Sequence, residues 1–308
     1  MPVSRKQLRS LMTYALVSAA FDHRDLKTRT FQCMVQPSRI VSFLLAILFL
    51  SSSIRGSENA IRIALPPDNL TREDRAPLQE YLSNQLKRPV AFVISGSYKD
   101  MIESLSNGSS EFALLGGLSY IQAQATTGVI PLVQSDKQFH SVFITGVHSP
   151  IRSLADLRGK SFAFGDVNST SGHLMPCLEL KQAGISPEKD LKFRFSGSHP
   201  VTAALVESGA VDAGVLDEAF YKSLIEAGKL DSKKVRAFYT SEPFWSDLFV
   251  ARKDVPFPEQ EKFAHAPLSL KKGSDDKLLN ILRADRFKRA TDDEYSRLRV
   301  IAKELNML

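Results

Sequence analysis

Two segments of this chain repeat one another at an offset of 101 residues. Residues 92–120 align without gaps to residues 193–221, and seven of the 29 positions are identical. Each copy contains an apolar segment, a Ser-Gly-Ser turn, an amphipathic segment and a second apolar segment. Short apolar strands that alternate with helices predict βαβ units and parallel sheets. Because the offset is longer than the roughly 20 to 50 residues of a solenoid repeat, we predict two similar α/β lobes.

The chain order suggests how these lobes are divided. We predict a two-lobed α/β fold in which each lobe is a parallel or mixed sheet flanked by helices. Lobe 1 is expected to comprise residues 57–145 and 246–308, and lobe 2 residues 146–245. Two crossing segments, near 141–149 and 240–251, are expected to form a two-strand hinge between the lobes.

The first 56 residues are typical of a leader. Arg39 precedes an apolar run of 11 residues, 40–50, and three serines follow the run. This order is that of a secretory signal peptide, and the run is shorter than the about 20 residues of a transmembrane helix. We therefore predict a periplasmic or secreted protein after cleavage. Met34 precedes the apolar run closely, which suggests a start at Met34 and an over-long start in residues 1–33.

The net charge of +6 belongs to the leader. Residues 1–57 hold eight Lys or Arg and two acidic residues, which leaves 32 of each sign in residues 58–308. A neutral body lacks the basic surface of a nucleic-acid-binding protein, so no nucleic-acid partner is expected. The sequence contains no H-E-x-x-H, C-x-x-C or G-x-S-x-G motif and no histidine spacing typical of a metal site. We predict no metal, no cofactor and no catalytic residues.

Three consecutive hydroxyl residues follow the apolar segment 161–164. In open α/β sheets, ligands bind at the carboxyl ends of strands, and a helix that starts there offers unpaired N–H groups to an anion. Ser169, Thr170 and Ser171 add hydroxyl donors at the same place. The alternative is that these residues only cap the helix. If they bind a ligand, they predict a site for a tetrahedral oxyanion that needs no arginine.

The repeat places further polar residues at equivalent positions. Tyr98 and His199 directly follow the two Ser-Gly-Ser turns, and Tyr120 and Asp217 lie near the starts of the next helices. Phenol and imidazole groups are donors to an oxyanion, whereas a carboxylate accepts a proton from one. Taken singly, each has a structural alternative as a rim residue or a helix cap. Together they are expected to converge on one cleft between the lobes.

At these residues the chain resembles the substrate-binding subunits of phosphate/phosphite/phosphonate ABC importers, the phosphonate-binding branch of the type 2 periplasmic binding proteins. The resemblance extends from about Ile61 to the last helix and is carried by "SLADLRGKSFAFGDVNSTSG", "SGSHPVTAALVESGAVDAG" and the pair of tyrosines. It implies a type 2 periplasmic binding fold. It also implies that the ligand-binding residues are Tyr98, Tyr120, Ser169, Thr170, Ser171, His199, Asp217 and, in "SEPFWSD", Asp247.

The resemblance further implies a function. It predicts an exported, monomeric solute-binding protein that captures a phosphonate-, phosphite- or phosphate-like oxyanion between two lobes and delivers it to a membrane ABC permease. Three alternatives remain open: a sensing module that reports to a receptor kinase, a binding protein for another small anion, and an enzyme on the same frame. An enzyme would need an activated nucleophile, and Cys177 beside His173 offers no such pairing beyond proximity.

Overall fold

The computed structural model describes residues 59–67 and 70–308, and the predicted leader lies outside these residues. The strands that it describes are β1 (Ile61–Leu65), β2 (Val90–Ile94), β3 (Phe112–Leu115), β4 (Ile130–Ser135), β5 (Ser141–Gly146), β6 (Ser161–Phe164), β7 (Lys192–Phe195), β8 (Ala213–Asp217), β9 (Val235–Thr240), β10 (Leu248–Ala251) and β11 (Phe287–Arg289). The α-helices are α1 (Arg72–Leu86), α2 (Tyr98–Ser106), α3 (Gly117–Thr127), α4 (Met175–Gln182), α5 (Pro187–Asp190), α6 (His199–Glu207), α7 (Glu218–Glu226), α8 (Phe257–Leu268), α9 (Asp276–Ile281) and α10 (Ser296–Glu304). Short 3-10 turns occupy Leu154–Leu157 and Asp292–Tyr295, and a π turn occupies Thr170–Leu174.

The strands form two sheets with the same internal arrangement. The first has the order β11-β4-β10-β3-β1-β2, and the second has the order β7-β6-β8-β5-β9. In both, three neighbouring strands are parallel and the next strand is antiparallel to them. The repeat seen in the sequence corresponds to β2-α2-β3-α3 in the first sheet and to β7-α6-β8-α7 in the second. The predicted α/β class with two sheets flanked by helices is confirmed.

The chain passes between the two sheets twice, and the first of these crossings lies earlier in the chain than predicted. Strand β5 pairs with β8 and β9 in the second sheet, so the first crossing is at 136–140 and not after residue 145. The second crossing is at 241–247, because β10 returns to the first sheet and pairs with β3 and β4. Phe139 and Phe244 form an isolated antiparallel bridge, with N–H···O distances of 2.8 and 3.0 Å, that ties the two crossings together. The crossings connect the two sheets; that the sheets belong to two lobes that move independently remains a proposal.

Local sequence signals explain where several helices begin. Thr71 caps α1 in a reciprocal arrangement, in which its hydroxyl accepts from the Asp74 N–H and the Asp74 carboxylate accepts from the Thr71 N–H. Ser97 caps α2 through the N–H of Asp100. This second cap belongs to a Ser-Gly-Ser turn of the repeat, so the turn both ends a strand and starts a helix.

The central strands of both sheets are buried on their two faces, as the strands of parallel sheets covered by helices usually are. Neighbouring residues of one strand therefore lie in different core clusters. In β1, Ile63 and Ala64 pack into separate clusters, and in β5 the same is true of Phe143 and Ile144. Within 59–67 and 70–308, none of the helices has both the length and the apolar composition that a bilayer-spanning segment requires.

Candidate functional site

A small cavity lies where helices of both sheets begin. Its volume is about 10 Å³, room for about one water molecule, so a larger ligand requires some opening and would then touch the walls on every side. Seven of the eight predicted ligand-binding residues line it, together with three that were not predicted: Tyr98, Ser169, Thr170, Ser171, His199, Asp217 and Asp247, and then Gly116, Ser246 and Arg283. The structure thus brings together residues that the repeat and the hydroxyl run singled out separately.

The loop after β6 folds back on itself before the hydroxyl residues. The Gly165 N–H donates to the Gly172 carbonyl at 2.8 Å, and a side chain on Gly172 would lie 3.0 Å from the Cα of Gly165. Only glycines allow this approach. The Leu174 N–H donates to the Ser169 carbonyl, five residues earlier, at 3.1 Å. This is the hydrogen bond of a π turn, a feature often found at functional sites.

The three hydroxyls have different partners. Ser169 caps the turn, because its Oγ accepts from the backbone N–H three residues later at 3.0 Å. Thr170 Oγ1 accepts from the Leu118 N–H at 2.8 Å, at the start of α3 in the other sheet. Ser171 Oγ lies 3.5 Å from His199 Nε2. A simple cap therefore accounts for Ser169, whereas Thr170 and Ser171 connect the turn to other elements that line the cavity.

Tyr98 and His199 stand at equivalent places in the two sheets, as the repeat predicts. Each is the first residue of a helix that follows a strand, α2 after β2 and α6 after β7. Both side chains are buried. The Tyr98 N–H also faces Asp166 Oδ2 at 3.5 Å, which links the start of α2 to the loop after β6. The cavity is therefore bordered by one donor-bearing aromatic ring from each sheet.

The acidic side of the cavity contains an arginine. Asp217 caps α7 by accepting from the Phe220 N–H at 2.9 Å. The Arg283 guanidinium lies 3.6 Å from Asp217 Oδ1 and 2.6 Å from Asp247 Oδ2. Burial raises the pKa of Asp247; nearby Arg283 opposes this effect and the charge of Asp217 adds to it. Arg283 was not among the predicted site residues, although it lines the cavity.

Tyr120 is the predicted site residue that does not line the cavity. Its side chain is fully buried in the core beneath α3. Its ring packs edge-on against Tyr295, with centroids 4.8 Å apart. Its hydroxyl donates to Asp292 Oδ1 at 2.7 Å. Burial and the Asp292 carboxylate raise the pKa of the Tyr120 phenol, so the group is a neutral structural donor.

We expect Tyr120→Phe to affect stability and not ligand binding. The change removes one hydrogen bond to a charged acceptor, and Arg299 still pairs with Asp292 at 2.6 Å. The free energy of unfolding should fall by about 1.5–3 kcal/mol. Urea denaturation measures that loss, and titration calorimetry should give a ligand affinity within about twofold of the unmodified protein. A loss of affinity larger than tenfold would place Tyr120 in the site after all.

Three lining residues escaped the sequence analysis, and a signal existed for one of them. Gly116 is the repeat equivalent of Asp217, 101 residues earlier. Ser246 accepts from the Gly117 N–H at 3.3 Å, which its sequence position gave no reason to expect. Arg283 follows helix α9, where a basic residue is usually explained by the helix dipole. Its ion pairs with Asp217 and Asp247 hold it at the cavity, and the sequence does not show these pairs.

Comparisons with known proteins agree with this arrangement. Residues 65–295 match the sequence profile of a family described as ABC transporter, phosphonate, periplasmic substrate-binding protein. The chain is 29% identical over 289 residues to the probable ABC transporter phosphite binding protein PhnD1 of Prochlorococcus marinus, covering 87% of this chain and 97% of that protein. It is 26% identical over 228 residues to the phosphate-import protein PhnD of Mycolicibacterium smegmatis, covering 68% of this chain and 71% of that protein. The solved structure of the Prochlorococcus protein in complex with methylphosphonate has a TM-score of 0.74 and 27% identity, and covers 81% of this chain and 99% of that one.

Proposed function

We propose that the cavity captures a phosphonate, phosphite or phosphate ion, because this chain belongs to the family of periplasmic substrate-binding proteins of phosphonate ABC transporters. The ligands named for its relatives are phosphite, phosphate and methylphosphonate. All three are tetrahedral oxyanions. Tyr98, Ser169, Thr170, Ser171 and His199 would bind the oxygens, and the carboxylates on the opposite side would accept a ligand proton.

The observation that carries the proposal is the convergence of donors from two sheets on one enclosed space. Thr170 comes from the second sheet and contacts the start of α3 in the first. Helix starts concentrate unpaired N–H groups and partial positive charge, which favour anions. Hydroxyl, phenol and imidazole groups add directional donors. Such a site holds an anion by hydrogen bonds and releases it when the two sheets separate.

Titration calorimetry with phosphite, methylphosphonate and phosphate tests the proposal, with sulfate as the matched control. Sulfate has the same shape but carries no proton at neutral pH, so it cannot donate a hydrogen bond to the carboxylates of Asp217 and Asp247. Its full double negative charge would also be repelled by these carboxylates. We expect at least one phosphorus oxyanion to bind more tightly than sulfate. If none of the three binds, the ligand class is not the one proposed.

We expect ligand binding to compact the protein. A ligand held by residues of both sheets binds the closed arrangement more tightly and shifts the population toward it. The two crossings at 136–140 and 241–247 are the segments that would bend. Small-angle X-ray scattering should show a smaller radius of gyration after saturation with the ligand that calorimetry selects. An unchanged radius in the presence of confirmed binding would contradict a hinge at these crossings.

We further propose the cellular setting. The protein would act in the periplasm as a monomer after removal of the leader, and it would deliver its ligand to the membrane permease of an ABC importer. Membership of the family supports this setting, as does the signal-peptide pattern of residues 39–53. The proposed role is capture and release, with no chemical change to the ligand.

A further inference from the structure

Arg283 lies between the oxyanion cavity and a much larger groove. It lines the cavity of about 10 Å³ and also an outer groove of about 720 Å³, which Phe220, Lys222 and Lys277 border as well. Its side chain is only 16% exposed. The side chain is therefore part of the wall that separates the two spaces.

Two carboxylates hold this side chain in place. The guanidinium lies 2.6 Å from Asp247 Oδ2 and 3.6 Å from Asp217 Oδ1. Its central carbon lies 6.0 Å from the centre of the Phe220 ring. That ring packs in turn against the His199 ring, with centroids 5.4 Å apart. The wall is thus a packed row of an imidazole, a phenyl ring and a guanidinium, fixed by ion pairs.

Both residues of the Arg283–Asp247 ion pair have an unfavourable backbone conformation. Arg283 has φ of 53° and Asp247 has φ of 52°. Only four non-glycine residues in the described part of the chain have positive φ, and these two are partners in one contact. Glycine is the usual residue at such positions, particularly after a helix. Strain of this kind persists where the surrounding structure imposes it, and it is common at ligand sites.

We propose that Arg283 determines specificity by closing the oxyanion cavity toward the outer groove, which limits the ligand to an oxyanion with a very small substituent. This inference rests on the proposed function and adds a size limit to it. A phosphonate with a longer alkyl chain would have to place that chain where the guanidinium lies. Removal of the arginine side chain would connect the cavity to the groove and give the chain a path outward.

A pair of ligands isolates this effect. Methylphosphonate and butylphosphonate have the same charged group and differ only in the length of the alkyl chain. Their affinity ratio therefore cancels changes that act on the charged group alone. We expect the unmodified protein to bind methylphosphonate at least about tenfold more tightly than butylphosphonate, since overfilling a closed cavity forces its walls apart.

Two double variants that share the same cavity charge distinguish the effect of side-chain size at position 283 from the effect of its charge. Arg283→Ala with Asp247→Asn removes one positive and one negative group, so the formal charge is unchanged. Arg283→Met with Asp247→Asn has that same charge but retains a long side chain. Calorimetry should show the preference for methylphosphonate reduced by roughly tenfold in the alanine variant and retained in the methionine variant. Urea denaturation of both variants establishes that they are folded.

The possible outcomes are distinct. If the unmodified protein binds the two phosphonates equally, the inference fails, although the proposed function stands. The inference also fails if the alanine and methionine variants show the same affinity ratio of methylphosphonate to butylphosphonate as the unmodified protein. If the unmodified protein binds neither phosphonates, phosphite nor phosphate, the proposed function itself fails. The comparison within the unmodified protein needs no variant, so a variant that does not fold leaves the inference testable.

Discussion

Replacement of Thr170 by valine is expected to lower the affinity for the bound phosphorus oxyanion by about 10- to 150-fold, which corresponds to about 1.5–3 kcal/mol for one lost hydrogen bond to a charged group. Valine has the shape of threonine but no hydroxyl. The Thr170 hydroxyl already accepts from the Leu118 N–H at 2.8 Å, so its proton is free to be donated to the ligand. The same substitution removes the acceptor of that N–H.

The structure therefore also predicts a cost in stability for this change. A buried N–H without an acceptor costs about 1–3 kcal/mol, and Thr170 is 2% exposed. Thr170→Ser is the matched control, because it retains the hydroxyl and removes only a methyl group. Calorimetry and urea denaturation should find the serine variant close to the unmodified protein in both quantities. Equal affinity in the valine variant would show that Thr170 does not contact the ligand.

Replacement of Arg283 alone by methionine is expected to lower the free energy of unfolding by about 3–5 kcal/mol at neutral pH, the usual effect of removing one partner of a buried ion pair. Asp217 and Asp247 then face each other's charge without the guanidinium. Replacement of Arg286, whose side chain is exposed, is the matched control. That arginine pairs with Asp136 at the surface, and its loss should cost no more than about 1 kcal/mol.

The loss in the Arg283→Met variant should depend on pH in a defined direction. Burial already raises the pKa of Asp247 above its ordinary value, and Arg283 opposes that rise. Without the arginine the folded-state pKa is higher still, so the folded protein binds this proton more tightly than the unfolded chain. The unfolded chains titrate alike in the two proteins, so the destabilisation relative to the unmodified protein should be smallest below the already raised folded-state pKa of Asp247 in the unmodified protein. It should grow as the pH rises from that pKa to the higher folded-state pKa of the variant, and it should be constant above it.

Urea denaturation of both proteins at several pH values measures this dependence. The difference in the free energy of unfolding should increase from acid to neutral pH. A difference that stays constant over this range would mean that Asp247 does not titrate in response to Arg283. A difference that decreases with pH would contradict the buried ion pair itself.

Most of the fold was predictable because its sequence signals are local or repeated. Short apolar strands, the Ser-Gly-Ser turns and the helices that follow them are determined by neighbours along the chain. The repeat added the equivalence of Tyr98 and His199. The first crossing between the sheets was predicted too late in the chain, because the sequence of an antiparallel strand does not show to which sheet it belongs. The second crossing lies within the predicted segment 240–251.

The residue pattern alone indicates two α/β sheets of similar plan, with a run of hydroxyls at the end of a strand. Which polar residues meet is settled by the packing of the sheets and loops. The packing places Tyr120 in the core, where its hydroxyl donates a hydrogen bond to Asp292. It also brings Arg283, which follows a helix, into an ion pair with Asp247. The physical reason is that burial and ion pairing depend on contacts between distant segments. A periodic pattern shows which face of an element is covered, but not which charge lies across from it.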